Sequence, residues 1–233
     1  MPAGAPISKV EATKNYGAKV VLVPGTYDDA AAEADRLAAQ EGYTFAHPFN
    51  DPYVMAGQGT IGLEILEQLP EADQVVVPIG GGGLISGVAC AIKQLKPACR
   101  VIGVQAAGAA SMYTSRQAGE VLTLPSVATI ADGIAVKRPG DLTFALCQQY
   151  VDDIVTVRDD EIAAAILALL EDQKTVAEGA GAVSVAAVMF GKVDLVGKNT
   201  VCVVSGGNVD VTTLSRIITK GLSKTGRITE FTV

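Results

Sequence analysis

The chain has 233 residues, enough for one large domain or for one domain and part of a second. Its net charge of -7 at pH 7 argues against nucleic acid or an anionic membrane surface as a partner. With a single histidine, a zinc cluster of histidines and cysteines is not expected, and the apolar runs are shorter than the roughly 20 residues that cross a bilayer. We therefore predict a cytoplasmic protein with reduced, buried thiols at Cys90, Cys99, Cys147 and Cys202.

The first fifty residues predict helices alternating with strands. Ser8 is a candidate N-cap, because Glu11 follows it at the spacing of a capping box. The alanine-rich amphipathic stretch that follows ends at Gly42, a typical helix stop. The predicted order is a helix over 8–16, a strand over 19–23, a helix over 27–40 and a short strand over 44–47.

Beyond position 50 the alternation continues after a predicted loop over 49–54. The apolar, β-branched run at 75–79 is typical of a strand buried on both faces of a parallel sheet. Further strands are predicted over 100–104, 153–157 and 200–204, and a loop over 128–140. Helices are predicted over 58–69, 85–95, 111–117, 139–150 and 159–174. One more is predicted to begin at 178, and the last to end at about 220. This pattern indicates an α/β fold, a parallel sheet with flanking helices.

Four consecutive glycines at 80–83 join a predicted strand to a predicted helix. Glycine loses more backbone entropy on ordering than alanine, by roughly 0.5–1 kcal/mol, so a run of four needs a physical reason. A bound phosphate is one reason, because a backbone without Cβ atoms and a helix N-terminus both favour anions. A tight turn is the alternative. A second glycine-rich turn at 205–208 follows the last strand, so we expect both turns to share a pocket at the carboxyl edge of the sheet.

Other glycine-loop chemistries fit the spacing less well. A dinucleotide site needs G-x-G-x-x-G, and Gly80, Gly82 and Gly87 place the third glycine wrongly. A Walker A loop needs a lysine directly after the glycines, where this sequence has none. For His47, beside Pro48, a partly buried structural role is expected. The residues alone thus predict an α/β phosphate-binding protein.

Five motifs occur in the order in which threonine dehydratases carry them, and the chain resembles that family from residue 1 to about 220. These threonine/serine ammonia-lyases are fold-type II pyridoxal-phosphate enzymes, a group that also holds serine racemase and serine dehydratase. The motifs are Ala56-Gly-Gln-Gly-Thr60, Gly80-Gly-Gly-Gly-Leu84, Thr129-Ile-Ala-Asp-Gly133, Glu178-Gly-Ala-Gly-Ala182 and Ser205-Gly-Gly-Asn208.

The resemblance implies the fold-type II architecture, like that of tryptophan synthase β, with its N-terminal part missing. Residues 1–50 would be the remainder of the small domain, 51–220 the large cofactor-binding domain, and 221–233 a connector resembling the link to an ACT-type regulatory domain. The family's Schiff-base lysine and substrate-carboxylate loop lie in motifs that precede the stretch beginning at Met1. The Schiff-base lysine is therefore not expected in this chain.

The resemblance also implies roles for residues. Backbone N–H groups of Gly80, Gly81, Gly82, Gly83 and Leu84 would bind the phosphate of pyridoxal 5'-phosphate, and Ser205 would bind its pyridine nitrogen. Glu178 resembles the family's acid near the active site, although a simple helix N-terminal acid is the alternative. Gly133 is expected near the substrate. Some relatives hold a divalent ion where Gln105 and Ser111 stand here, so no metal is predicted.

The implied reaction is deamination of L-threonine to 2-oxobutanoate and ammonia, and of L-serine to pyruvate, in amino-acid metabolism such as isoleucine biosynthesis. The resemblance also implies a homo-oligomer. Without the lysine motif, this chain alone is expected to be a catalytically incomplete piece. Two other interpretations stay open: a non-catalytic module for phosphate-ligand binding or assembly, and a serine racemase-like activity.

Overall fold

The structure, a computed structural model, describes residues 1–5, 7–25 and 27–229. The chain divides into two compact units, Met1–His47 and Pro48–Val233. The sequence-based division at 1–50, 51–220 and 221–233 stays a prediction, and the last residues of the predicted connector, 230–233, lie outside the described residues.

The described part of the first unit contains two helices, α1 (Ile7–Asn15) and α2 (Tyr27–Glu41), close to the bounds that the sequence predicts. Because α1 already begins at Ile7, Ser8 lies inside the helix and is not its N-cap. The chain reverses after α1 at Gly17, whose φ of 82° is in the left-handed region that favours glycine.

Both strands predicted in the first unit are wrong. The segment at 19–23 forms a single bridge, between Pro2 and Val23, because the short stretch 1–3 is the neighbour that pairs with it in the described chain. The segment at 44–47 has no strand assignment, and the rings of Phe45 and His47 meet edge to face, 5.8 Å between centroids. A β-branched run forms a strand only where another strand supplies a ladder of hydrogen bonds.

Within its described residues, the second unit is built on a parallel sheet of four strands, which confirms the predicted fold class. The strand order is β3-β2-β1-β4, with β1 pairing from Gln74–Arg100 to Pro78–Val104 on one side and from Gln74–Thr200 to Val76–Cys202 on the other. All the carboxyl ends therefore lie at one edge. The strands are β1 (Gln74–Pro78), β2 (Arg100–Ala106), β3 (Asp153–Val157) and β4 (Thr200–Cys202).

Helices cover both faces of this sheet. The helices of the second unit are α3 (Pro52–Gln68), α4 (Gly83–Leu95), α5 (Ser111–Ala118), α6 (Asp141–Tyr150), α7 (Asp159–Asp172), α8 (Gly179–Met189) and α9 (Val211–Lys224). β1 alternates between the two layers: Val75 and Val77 pack with α4, and Val76 packs with α7 and α8. Burial on both faces explains the continuous apolar run of this strand.

Two helix bounds differ from the prediction by about four residues or more. The stretch 49–54, predicted as a loop, contains the start of α3, because the Asp51 carboxylate accepts the N–H groups of Tyr53 at 2.8 Å and Val54 at 3.0 Å. Pro52 suits the first helical position, which needs no N–H donor. At the other end, α9 continues to Lys224, so the first residues of the predicted connector are helical.

The four cysteines are free, as predicted, but Cys90 and Cys202 are half-buried. Burial raises the pKa of the Cys147 and Cys202 thiols to about 11, so both stay protonated at neutral pH and are poor nucleophiles. Among the described helices, none combines the length and apolar character that a membrane span requires.

Candidate functional site

A cavity of about 550 Å³ lies at the carboxyl edge of the sheet, where β1 ends at Pro78. Its wall contains every residue that the sequence analysis assigns to the cofactor or to catalysis, together with Gly133. These residues are Gly80, Gly81, Gly82, Gly83, Leu84, Glu178 and Ser205. The structure brings them to one place, while their individual roles stay predictions.

The glycine run leaves the N-terminus of α4 open toward an anion. Gly82 is the N-cap, with a φ of 101°, and within the described residues no side chain caps this helix. The first turn of α4 also carries no acidic residue. Because the first N–H groups of a helix have no partner inside it, they are available to a phosphate, which the helix dipole also favours.

Close packing requires glycine at more positions than the turn does. Of the four, only Gly82 has a positive φ, so a tight turn accounts for one glycine. A Cβ at Gly81 would collide with the ring of Phe49, and one at Gly83 would lie 2.8 Å from the Phe49 Cα atom. A Cβ at Gly80 would lie 3.1 Å from the Ile134 Cα atom. The run therefore lets other backbone segments approach the loop.

The second glycine-rich turn holds Ser205 and packs against the Glu178 motif. The backbone N–H of Glu178 donates to the Gly206 carbonyl at 3.1 Å, and a Cβ at Gly206 would lie 2.5 Å from Glu178 Oε1. A Cβ at Gly181 would collide with the Gly206 carbonyl oxygen. The order Glu-Gly-Ala-Gly thus fits the backbone of the serine turn.

Glu178 is the N-cap residue of α8, but its side chain makes no capping hydrogen bond to that helix. The carboxylate is half-buried and faces the cavity, where a Cβ at Gly133 would lie 3.5 Å from Oε1. This geometry favours a role at the cavity over the alternative of a simple helix N-terminal acid.

The loop predicted over 128–140 is hydrogen-bonded to the start of α7. Thr129 donates its hydroxyl to Asp159 Oδ1 at 2.5 Å, and the N–H of Ile130 donates to Oδ2 at 3.1 Å. A 3₁₀ turn over Asp132–Ile134 follows and places Gly133 and Ile134 on the cavity wall. The Thr-Ile-Ala-Asp-Gly motif is thus one side of the cavity.

Three residues of the site region were missed by the sequence analysis. Phe49 packs against Gly81 and Gly83 and itself lines the cavity, and Asn50 Oδ1 accepts the N–H groups of Leu142 at 3.0 Å and Thr143 at 3.4 Å. The fully buried hydroxyl of Thr143 donates to the Gly81 carbonyl at 2.6 Å. A polar residue in the apolar stretch Leu-Thr-Phe-Ala-Leu was a signal for Thr143, whereas nothing local marked Phe49.

Within the described chain, no lysine lines the cavity. Lys93 pairs with Asp152 at 2.8 Å, and Lys96 donates to the Ala72 carbonyl at 2.8 Å. Since Ala72 precedes β1, Lys96 lies at the amino edge of the sheet, opposite the cavity.

Gln105 and Ser111, where the resemblance predicts that no metal binds, carry neutral groups. Gln105 is fully buried, accepts the N–H of Tyr113 at 2.8 Å and donates to the Ile79 carbonyl at 3.4 Å. The buried Ser111 hydroxyl has no hydrogen-bond partner among the described residues. The absence of a metal stays a prediction.

Comparison with known proteins gives a consistent set of matches. A family described as pyridoxal-phosphate dependent enzyme matches residues 1–206. An L-threonine ammonia-lyase of Thermotoga maritima is 56% identical over 97% of this chain, and an L-threonine dehydratase catabolic TdcB of Escherichia coli (strain K12) is 48% identical over 93%. The chain spans 56% of the first relative's length and 67% of the second's.

Solved structures show the same similarity. The processed form of threonine deaminase isoform 2 from Solanum lycopersicum has a TM-score of 0.88 and 40% identity, covering 94% of this chain and 65% of that one. Maize serine racemase has a TM-score of 0.86 and 38% identity, covering 97% of this chain and 70% of that one.

Proposed function

Because this chain belongs to the family of pyridoxal-phosphate dependent enzymes, with their fold-type II architecture, we propose that it forms the cofactor-binding part of an L-threonine ammonia-lyase. The observation that carries the proposal is the single cavity that the glycine run, Ser205 and Glu178 line together. The reaction would release ammonia from L-threonine to give 2-oxobutanoate, and from L-serine to give pyruvate.

The residues present fit the cofactor. The uncapped N-terminus of α4 and the glycine run offer backbone N–H groups to a phosphate, with no acidic residue in the first helical turn to repel it. Ser205 lies across the same cavity, where its hydroxyl can bind a ring nitrogen. When bound, pyridoxal phosphate withdraws electrons from the amino acid's Cα atom, so that the Cα proton and a Cβ hydroxide can leave.

The chain's own groups set the conditions for that chemistry. A neutral hydroxyl at Ser205 does not stabilise a proton on the ring nitrogen as a carboxylate would, which moderates electron withdrawal. Glu178 places a carboxylate at the cavity wall, where it can hold or transfer a proton. The Schiff-base lysine is assigned to no residue of this chain, so this chain alone is expected to be inactive. The full enzyme is proposed to be a cytoplasmic homo-oligomer.

A racemase is the second candidate, supported by the similarity to maize serine racemase. Curated relatives of higher identity, from 45% to 56%, carry ammonia-lyase or dehydratase names, which favours deamination. Assays of the full enzyme with L-threonine, L-serine and D-serine separate the two, because a racemase interconverts the serine enantiomers and a lyase releases 2-oxo acid.

The proposed function is tested by titrating the chain with pyridoxal 5'-phosphate. Equilibrium dialysis gives the affinity, and borohydride reduction with peptide mapping detects a covalent lysine adduct. We expect reversible, saturable binding without a reducible adduct. No binding would overturn the proposal in favour of an assembly module, and an adduct fixed to one lysine would overturn the expected lack of activity.

A further inference from the structure

Two groups at the N-terminus of α6 donate hydrogen bonds to the glycine run. Thr143 Oγ1 donates to the Gly81 carbonyl at 2.6 Å, and the N–H of Gly140 donates to the same oxygen at 3.3 Å. Neither Thr143 nor Gly140 is among the residues that line the cavity. The Gly81 carbonyl therefore points to the buried side of the loop, with both of its acceptor positions used.

The direction of this carbonyl determines the direction of the next N–H group. The peptide bond between Gly81 and Gly82 is trans, so the Gly81 C=O and the Gly82 N–H point in opposite directions. A carbonyl held toward α6 thus turns the Gly82 N–H toward the cavity side.

Without the hydrogen bond from Thr143, the Gly81–Gly82 peptide would be weakly constrained. Glycine populates positive and negative φ almost equally, so a peptide between two glycines reorients at low cost. Thr143 also limits the space, because a Cβ at Gly82 would lie 2.8 Å from the Thr143 Cβ atom. Asn50 caps α6 through the N–H groups of Leu142 and Thr143, which fixes the helix end that carries the anchor.

We propose that Thr143 is a positioning residue that fixes the Gly81–Gly82 peptide so that the Gly82 N–H binds the phosphate group of the ligand. This inference rests on the proposed function and adds a determinant of phosphate affinity outside the cavity wall. We assign the effect to the Thr143 hydroxyl, since the Cβ atom that limits the space at Gly82 is also present in valine and serine.

The test compares three variants of the full chain in binding to pyridoxal 5'-phosphate and to pyridoxal, which lacks the phosphate. Thr143→Val keeps the shape and removes the hydroxyl, Thr143→Ser keeps the hydroxyl, and Thr114→Val is a matched control that removes a helical hydroxyl bonded to Ala110. We expect Thr143→Val to lower the affinity for pyridoxal 5'-phosphate about tenfold. The reason is that the Gly82 N–H, which donates to the charged phosphate in this proposal, is no longer held in place. Pyridoxal affinity should not change.

Thr143→Ser should restore the wild-type affinity, and Thr114→Val should retain it. Equal affinities of Thr143→Val and wild type for pyridoxal 5'-phosphate would overturn the inference and leave the proposed function standing. Equal weakening of both ligands would also overturn it, since that result indicates a general structural effect. A wild type that binds neither ligand would overturn the proposed function and this inference together.

A second measurement tests the inference in wild-type protein, for the case in which the Thr143→Val variant does not fold. In wild-type protein labelled with ¹⁵N-glycine, inorganic phosphate should move the Gly82 amide proton downfield by hydrogen bonding. A Gly82 signal that stays in place while those of its neighbours shift would overturn the inference.

Discussion

Two glycine-rich turns follow two neighbouring strands, yet they use the following helix in opposite ways. After β1, α4 begins inside the glycine run, and no described side chain caps it. After β4, the chain continues to Asp210, whose carboxylate caps α9 by accepting the N–H of Thr213 at 2.8 Å. The N-terminus of α4 is therefore open to an external anion, whereas the N-terminus of α9 is already occupied by the Asp210 carboxylate. The residues after the glycines thus decide what such a turn can bind.

The two turns also differ in their surroundings. Gly81, Gly82 and Gly83 are buried, whereas Ser205 is exposed to solvent in the cavity. The first turn packs against Phe49 and accepts a hydrogen bond from Thr143 through the Gly81 carbonyl. The second turn instead places the Ser205 side chain at the cavity wall.

The largest expected effect comes from Gly81→Ala, because the added Cβ atom meets the ring of Phe49. Overpacking of this kind costs about 1–3 kcal/mol of unfolding free energy. We expect binding of both pyridoxal 5'-phosphate and inorganic phosphate to be lost. Urea unfolding and equilibrium dialysis measure the two effects.

Gly57→Ala is the matched control, since Gly57 lies exposed in α3 with nothing within 4 Å of an added Cβ atom. Alanine there should stabilise the protein by about 0.5–1 kcal/mol through helix propensity and leave ligand affinity unchanged. If Gly81→Ala bound phosphate as tightly as Gly57→Ala, the first turn would not be the phosphate site.

Asp210→Ala should have an intermediate effect, which is confined to stability. Loss of the cap of α9 should lower the midpoint of thermal unfolding by about 2–4 °C. Inorganic phosphate affinity should not change, because the capped helix is not the anion site. A large loss of phosphate affinity in this variant would remove the distinction between the two turns.

The same residue predicts a pH dependence. Hydrogen bonds from the Thr212 and Thr213 hydroxyls and the Thr213 N–H hold the pKa of the Asp210 carboxyl far below its ordinary value of 3.8. A carboxylate with a lowered folded-state pKa stabilises the protein above that ordinary value, and this contribution is lost as the pH falls toward the folded-state pKa. The difference in Tm between wild type and Asp210→Ala should stay constant at neutral pH and narrow only below pH 3.8. A difference that narrowed at neutral pH would contradict this.

Ser205→Ala should have the smallest effect. Its exposed hydroxyl contributes little to folding, so the Tm should stay that of wild type. Pyridoxal 5'-phosphate affinity should fall about two- to tenfold, because a neutral hydrogen bond contributes about 0.5–1.5 kcal/mol. Inorganic phosphate affinity should remain unchanged. Equal losses for both ligands would mean that Ser205 acts on the phosphate and not on the ring.

Local sequence patterns predicted most of the helices and strands of the second unit. The strands β1 and β2 were predictable from short apolar runs because both faces of the sheet are buried. The start of α3 was not, since Asp51 followed by Pro52 is typical of turns as well as of helix N-termini. The strands predicted at 19–23 and 44–47 failed because a strand depends on a partner that its own residues do not encode.

The site also combines features that are local in the sequence with contacts between distant residues. The glycine run and its helix are consecutive, so an anion site at this turn could be predicted from the sequence. Thr143 contacts Gly81 across 62 positions, and Asn50 contacts Leu142 across 92, so no local pattern connects them. The sequence therefore predicted the glycine run as a candidate site and missed the residues that contact it from distant parts of the chain.

The sheet order has a consequence for the growing polypeptide. β4 lies beside β1 although Gln74 and Thr200, which are hydrogen-bonded, are separated by 126 positions. During synthesis on the ribosome, Phe49, the glycine run and Thr143 all emerge before β4. Consecutive elements close faster than distant ones, so we expect a nascent chain to form the proposed phosphate site while the other edge of β1 is still open. Ser205, the proposed partner of the ring, joins this site only when β4 docks.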